Sequence, residues 1–127
     1  MSDIYSNKYH VSCLQYHIIF FTNNFLLNEE EVNFIRSYFK NVSNRYEFKI
    51  LEMEMKGYRV KLLINCKTTH YIPNIMKALK GGSARFLFKE FPESKLKNGS
   101  SLWDQKYFIS TDEKQLDNLI KKYKETL

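Results

Sequence analysis

The chain has 127 residues, 43% of them hydrophobic, with 20 Lys and Arg against 14 Asp and Glu and a formal net charge of +6. That balance describes one basic domain, 1–127, able to bury a core. Only two prolines and four glycines exclude a collagen-like or Pro/Gly-rich disordered chain. The aromatic share of 16% fits either a densely packed core or surfaces that stack on bases. Cys13 and Cys66 sit in alternating apolar runs without the close pairing of zinc sites, and read as buried free thiols. The longest apolar run, Tyr16 to Phe21 around His17, is too short to span a bilayer, and no leader pattern opens the chain. A cytoplasmic, reduced protein without a membrane partner is expected. The basic balance implies affinity for phosphates or acidic surfaces, although a solvated lysine surface explains it equally simply.

In chain order, Lys8 to Phe21 (KYHVSCLQYHIIFF) is rich in β-branched and aromatic residues and predicts a central strand. Asn28 before Glu29, Glu30 and Glu31 is a helix start, a capping side chain followed by acids at the positive dipole end. Val32, Ile35, Phe39 and Val42 carry the helical spacing to about Asn44. Tyr46 to Met55 and Tyr58 to Cys66 are extended runs around Lys56-Gly57, a hairpin signal. In the second run Tyr58, Val60, Leu62, Ile64 and Cys66 alternate, so Arg59, Lys61, Leu63 and Asn65 face the other way.

After Pro73, Ile75, Met76 and Leu79 predict a short helix stopped by Gly81-Gly82, and Ser83 to Phe91 another turn or two before Pro92. Glu93 to Ser101 reads as a polar loop. Trp103 precedes a last strand, Lys106 to Ser110, and Ser110 with Glu113 makes a capping box for a terminal helix. That helix carries Leu116, Leu119, Ile120, Tyr123 and Leu127 on one stripe. The order predicts an α+β fold: a ferredoxin-like or RRM-like antiparallel sheet with helices packed on one face and a C-terminal helix carrying Tyr123.

The set Tyr9-His10-Val11-Ser12, Tyr16-His17-Ile18-Ile19-Phe20, Val60-Lys61-Leu62-Leu63-Ile64, Leu79-Lys80-Gly81-Gly82-Ser83-Ala84-Arg85, Leu87-Phe88-Lys89-Glu90-Phe91-Pro92, Leu102-Trp103, Tyr107-Phe108-Ile109-Ser110-Thr111 and Ile120-Lys121-Lys122-Tyr123 resembles the TnpA-type transposases. These are the single-tyrosine HUH transposases of the smallest bacterial insertion sequences, and the resemblance covers nearly the whole chain. It implies a dimer that cuts and rejoins single-stranded DNA at element ends and recognises hairpins. It further implies a nucleophilic tyrosine on the last helix, at Tyr123. A Mg or Mn ion would be held by a His-hydrophobic-His strand motif and a Gln four residues beyond the tyrosine.

The chain departs from that pattern at all three metal positions. The strand motif reads Arg59-Val60-Lys61, and the Gln position is Leu127. Protonated Arg and Lys offer no lone pair, and a unit charge about 4 Å from another costs about 4 kcal/mol at an effective dielectric near 20. The resemblance with these losses therefore implies no metal cofactor, while the same two cations suit a phosphate. Family members also carry a basic segment after the first strand, where this chain has Thr22-Asn23-Asn24-Phe25-Leu26-Leu27. The remaining phosphate candidates are Lys77, Lys80, Arg85, Lys89, Lys95 and Lys97.

The leading expectation is a transposase-derived, domesticated homodimer that binds single-stranded or hairpin DNA, or an RNA, without metal-dependent cleavage. Two others stand beside it. One is an enzyme in which Tyr123 attacks phosphate with Arg59 and Lys61 replacing the metal's charge. The other is a protein-interaction module on the same fold. On periodicity alone Tyr123 is a core tyrosine, His10 and His17 are satisfied structural histidines, and Trp103 is a packing anchor.

Overall fold

A computed structural model describes residues 5–6, 11–12, 14–23, 26–98 and 101–125. Cys13, His10 and Leu127 lie outside them, as does part of the segment from Thr22 to Leu27. Short strands β1 (Tyr5–Ser6) and β2 (Val11–Ser12) pair with each other, followed by β3 (Leu14–Thr22) and helix α1 (Glu29–Tyr46). A hairpin of β4 (Lys49–Lys56) and β5 (Arg59–Cys66) leads to α2 (Ile72–Met76), a π turn (Lys77–Gly81) and α3 (Gly82–Glu90). Helix α4 (Pro92–Asn98), strand β6 (Trp103–Ser110) and helix α5 (Glu113–Glu125) complete the chain. The antiparallel sheet has the order β4-β5-β3-β6, which puts β3 and β5 at its centre as in a ferredoxin-like sandwich.

Each element follows from local chemistry. Asn28 accepts from the Glu31 N–H at 2.8 Å while Glu31 Oε1 accepts from the Asn28 N–H at 2.9 Å, a complete capping box. Glu47 ends α1 in the left-handed region (φ 59°), so Tyr46, expected to open a strand, is helical instead. Gly57 turns the hairpin at φ 64°, a conformation glycine adopts without strain.

Period two then divides the sheet into faces. Ile18 and Phe20 of β3 join Val60, Leu62, Ile64 and Cys66 of β5, all at 1% exposure or less, beneath Ile35, Phe39, Val42, Leu79 and Leu87 of the helices. A bulge at Leu51 shifts the phase of β4, so that Ile50 and Met53 both reach this core although three positions apart. Cys66 is a buried free thiol, as expected, and burial pushes its pKa up to about 11. Helix α5 covers the opposite face: Leu116 is fully buried there with Ile19, and Tyr123 meets Phe108. Leu119 is 41% exposed, outside the stripe predicted for it.

Four local expectations are corrected. Gly81 and Gly82 do not stop a helix: α2 runs through the π turn into α3 with Gly82 in ordinary helical geometry. A Cβ on Gly82 would sit 2.0 Å from the Tyr38 hydroxyl, so the glycine permits the close approach of α3 to α1. The stretch from Glu93 is helical, not a loop, because Pro92 presets the first turn and the buried Ser94 hydroxyl donates to the buried Glu31 carboxylate. The last strand starts at Trp103, three residues early, its indole buried against Phe20 and donating to Ser83 Oγ at 2.9 Å. Finally, α5 is capped by Asp112, whose carboxylate accepts from the Lys114 N–H at 3.0 Å, while Ser110 Oγ accepts from the Asp112 N–H. Outside the expected elements, His70 ties its own loop to the end of α1, its Nδ1 accepting from the Lys67 N–H and its Nε2 donating to the Tyr46 carbonyl at 2.7 Å.

Gly82→Ala is expected to destabilise the fold by about 1–3 kcal/mol although alanine is the better helix former, because the Tyr38 ring must move. In a Tyr38→Ala background the same change is expected to be neutral or stabilising. Urea unfolding of the four members of this cycle measures the coupling.

Candidate nucleic-acid interface

The outer face of the sheet brings Arg59 and Lys61 together with acids from two other elements. Arg59 Nη2 lies 3.3 Å from Glu54 Oε1 on β4. Lys61 stands opposite Glu54 across the strands and donates to Glu113 at the start of α5. Glu52, Glu54, Lys61, Leu63 and Glu113 line a shallow cavity of about 520 Å³. The hydrogen bond from Lys61, reinforced by its charge, holds the Glu113 carboxyl below the usual glutamate range. Residues 59 and 61 are thus two cations whose charges are met by carboxylates within the chain. Neither guanidinium nor ammonium has a lone pair to give a divalent ion, and among the described residues no three His, Cys, Asp or Glu side chains are grouped so as to hold one. His17 shares the face, and its buried Nδ1 finds no hydrogen-bond partner among the described residues, contrary to the satisfied histidine expected.

Tyr123 lies in the last turns of α5, half-buried, its ring 5.5 Å from Phe108. From Glu113 to Tyr123 the helix advances about 15 Å at about 1.5 Å per residue, so Lys61 and the tyrosine sit at opposite ends of α5. The cations the fold does bring to this aromatic cluster are Lys106, 5.3 Å above the Tyr123 ring, and Lys124, 5.9 Å above Phe21. The sequence reading passed over both, although strand alternation opposite Tyr107 puts Lys106 on this face.

Among the helical-layer candidates, Lys80 differs from the rest. Its ammonium donates to the Asp104 carbonyl at 2.7 Å and the Lys106 carbonyl at 3.2 Å, between the rings of Phe20 and Tyr107. Burial lowers its pKa against the opposing pull of Asp104. Lys80 thus caps two carbonyls at the open edge of β6, which sets it apart from the exposed cations of the helical layer. Lys77, Arg85, Lys89 and Lys95 are exposed, as expected of phosphate contacts; the Lys97 side chain lies outside the described residues. Lys77, Gly81 and Arg85 form a ridge between two cavities. One, of about 560 Å³, is walled by Phe88, Trp103 and Tyr107, and the other, of about 550 Å³, by Tyr38, Arg45 and Tyr46 of α1. Arg45 and Tyr46 carried no signal beyond helical spacing with Tyr38 and Val42.

Residues 10–126 match the family model described as "Transposase IS200 like". The chain belongs to the IS200-like transposase family. The ISDra2 transposase TnpA of Deinococcus radiodurans is 30% identical over 116 residues, 89% of this chain and 83% of that protein. A crystal structure of a candidate transposase from Deinococcus radiodurans R1 superposes with a TM-score of 0.84 at 28% identity, covering 96% of each chain. The REP-associated tyrosine transposase solved with a REP hairpin shares the fold alone, with a TM-score of 0.58 at 12% identity over 94% of this chain and 68% of its own. The four-stranded α+β sandwich and its terminal helix are those of the IS200-like family. Among the described residues of this IS200-like chain, no helix is long and apolar enough to cross a membrane.

The Lys61–Glu113 pair has a pH signature. A carboxyl held low favours folding above the ordinary glutamate range, and that contribution is lost as pH falls through the lowered midpoint. An NMR titration is expected to give Glu113 a midpoint below the ordinary glutamate range, returning to that range in Lys61→Met.

Proposed function

We propose that this IS200-like protein binds single-stranded or hairpin DNA and does not cleave it through a metal ion. The observation that carries the reading is the chemistry of residues 59 and 61, a guanidinium and an ammonium already paired with Glu54 and Glu113. The hairpin held by the REP-associated relative supports a folded single strand as ligand. Phosphate contact falls to Lys77, Arg85, Lys89 and Lys95, exposed on the helical layer, in preference to Arg59, Lys61 and Lys80, whose charges are met inside the chain. The protein acts as a cytoplasmic homodimer and serves as a domesticated regulator; RNA is the alternative polymer. Attack by Tyr123 aided by Arg59 and Lys61 is the weaker reading, since α5 carries the tyrosine away from them within one chain.

Fluorescence anisotropy with labelled hairpin and single-stranded DNA is expected to give binding that is unchanged by EDTA and weakens with salt, log K falling by about 0.7 per phosphate contact on single strands. No covalent adduct is expected on denaturing gels with Mn²⁺, and Tyr123→Phe should bind like the parent. A Mn²⁺-dependent adduct lost in Tyr123→Phe would establish the enzyme reading instead, and binding to no nucleic acid at any salt would remove the proposal.

A further inference from the structure

The cavity between the α2–α3 helix and β6 differs from the other two in its walls. Its volume of about 560 Å³ lies in the range of small-molecule clefts. Met76, Ala84, Phe88, Leu102, Trp103 and Tyr107 make most of its lining apolar, whereas the sheet-face cavity has three glutamates and the one beside α1 has three cations. The Trp103 wall is fixed before any ligand arrives. Its ring is held edge-on by Phe20 at 4.9 Å and by the hydrogen bond to Ser83.

One polar group in that lining is short of partners. The Lys80 ammonium has three N–H donors, of which two go to the Asp104 and Lys106 carbonyls at 2.7 and 3.2 Å. The third has no acceptor among the described residues, and no described carboxylate comes within ion-pair distance of it. Burial pulls the ammonium's pKa down, and Asp104, the one acid of the lining, opposes this from beyond that distance. Carbonyl dipoles meet the charge, but no counter-ion does. Lys77 and Arg85 line the same cavity from its exposed side and add positive potential.

We propose that this cavity binds a small apolar monocarboxylate, its tail lying between Phe88 and Trp103 and its carboxylate accepting from Lys80. Such an anion supplies the third acceptor and the missing counter-ion in one group, and a charge-assisted hydrogen bond is stronger for being half-buried. A phosphomonoester carries up to two charges where Lys80 has one remaining donor, and desolvating it against apolar walls costs more. The ligand is a free small molecule, so the site stands or falls separately from the nucleic-acid reading.

The test uses the full chain and phenylbutyrate, with phenylbutyramide as its uncharged counterpart and thymidine monophosphate as a nucleotide. Trp103, the one tryptophan of the chain, stands in the wall, so its fluorescence reports occupancy and calorimetry gives the stoichiometry. One phenylbutyrate per chain is expected, with the amide and the nucleotide each about tenfold weaker or more, the factor that a hydrogen bond to a charged group contributes. Lys80→Met keeps an unbranched side chain and is expected to lose the preference for the carboxylate while still binding the amide. The amide comparison on the parent tests the same charge if Lys80→Met does not fold. Ala84→Leu, a good helix former that fills the cavity from α3, should weaken both ligands about fivefold or more. Lys40→Ala, which removes an exposed cation from α1 outside the cavity, should have little effect. An amide that binds as tightly as the carboxylate, or a Lys80→Met that keeps the preference, overturns the role of Lys80. Thymidine monophosphate binding more tightly than phenylbutyrate overturns the ligand class, and an Ala84→Leu without effect overturns the location. A parent whose tryptophan fluorescence and heat signal ignore phenylbutyrate at millimolar concentration overturns the site altogether.

Discussion

Side chains of a β-strand point alternately to its two faces, and β5 is where that constraint governs the most. Val60, Leu62, Ile64 and Cys66 are buried under α1 and the α2–α3 helix, and a one-residue slip would expose all four. At about 1.5–3 kcal/mol for each large apolar side chain buried, the core fixes the register beyond reach of any surface interaction. Arg59 and Lys61 are on the outer face because Val60 cannot leave the inner one. Their pairing with Glu54 and Glu113 follows from that placement and adds little stability, since exposed ion pairs contribute about 0–1 kcal/mol. Its effect is chemical: the guanidinium and the ammonium meet carboxylates of the chain itself.

The inner face depends on the same register in a different way. Phe20 receives Trp103 edge-on, Trp103 reaches Ser83, and Lys80 crosses from the π turn to the carbonyls of β6. These contacts lock the α2–α3 helix to the sheet edge and leave its other side, with Lys77 and Arg85, turned to solvent. The cations therefore have different partners: Arg59 and Lys61 meet carboxylates, Lys106 and Lys124 meet aromatic rings, Lys80 meets carbonyls, and Lys77, Lys89 and Lys95 are exposed on the helical layer. A net charge of +6 distributed this way favours anion binding on the helices.

Where signals were local, the sequence was legible. Asn28 with Glu31 marks its own helix start, and Gly57 its own turn, because each satisfies backbone requirements within a few residues. Gly81-Gly82 misleads for the opposite reason: low helix propensity suggests an end, but the tertiary approach of Tyr38 decides, and the helix continues. The α4 segment looks like a loop until Ser94 meets Glu31, a contact across 63 positions. The Arg59-Val60-Lys61 motif stood out through resemblance, whereas the partner of Lys61 is 52 positions away and no spacing rule reaches it. Lys80 and Lys77 are indistinguishable as letters, and only burial separates a strut from a free cation.

Cations at residues 59 and 61 should keep a divalent ion from this face of the sheet. Mn²⁺ titration followed by electron paramagnetic resonance counts free ion directly, for the parent and for Arg59→His/Lys61→His. The parent is expected to leave Mn²⁺ free up to millimolar concentration and the double histidine variant to sequester it. A parent that takes up one Mn²⁺ per chain would contradict the claim.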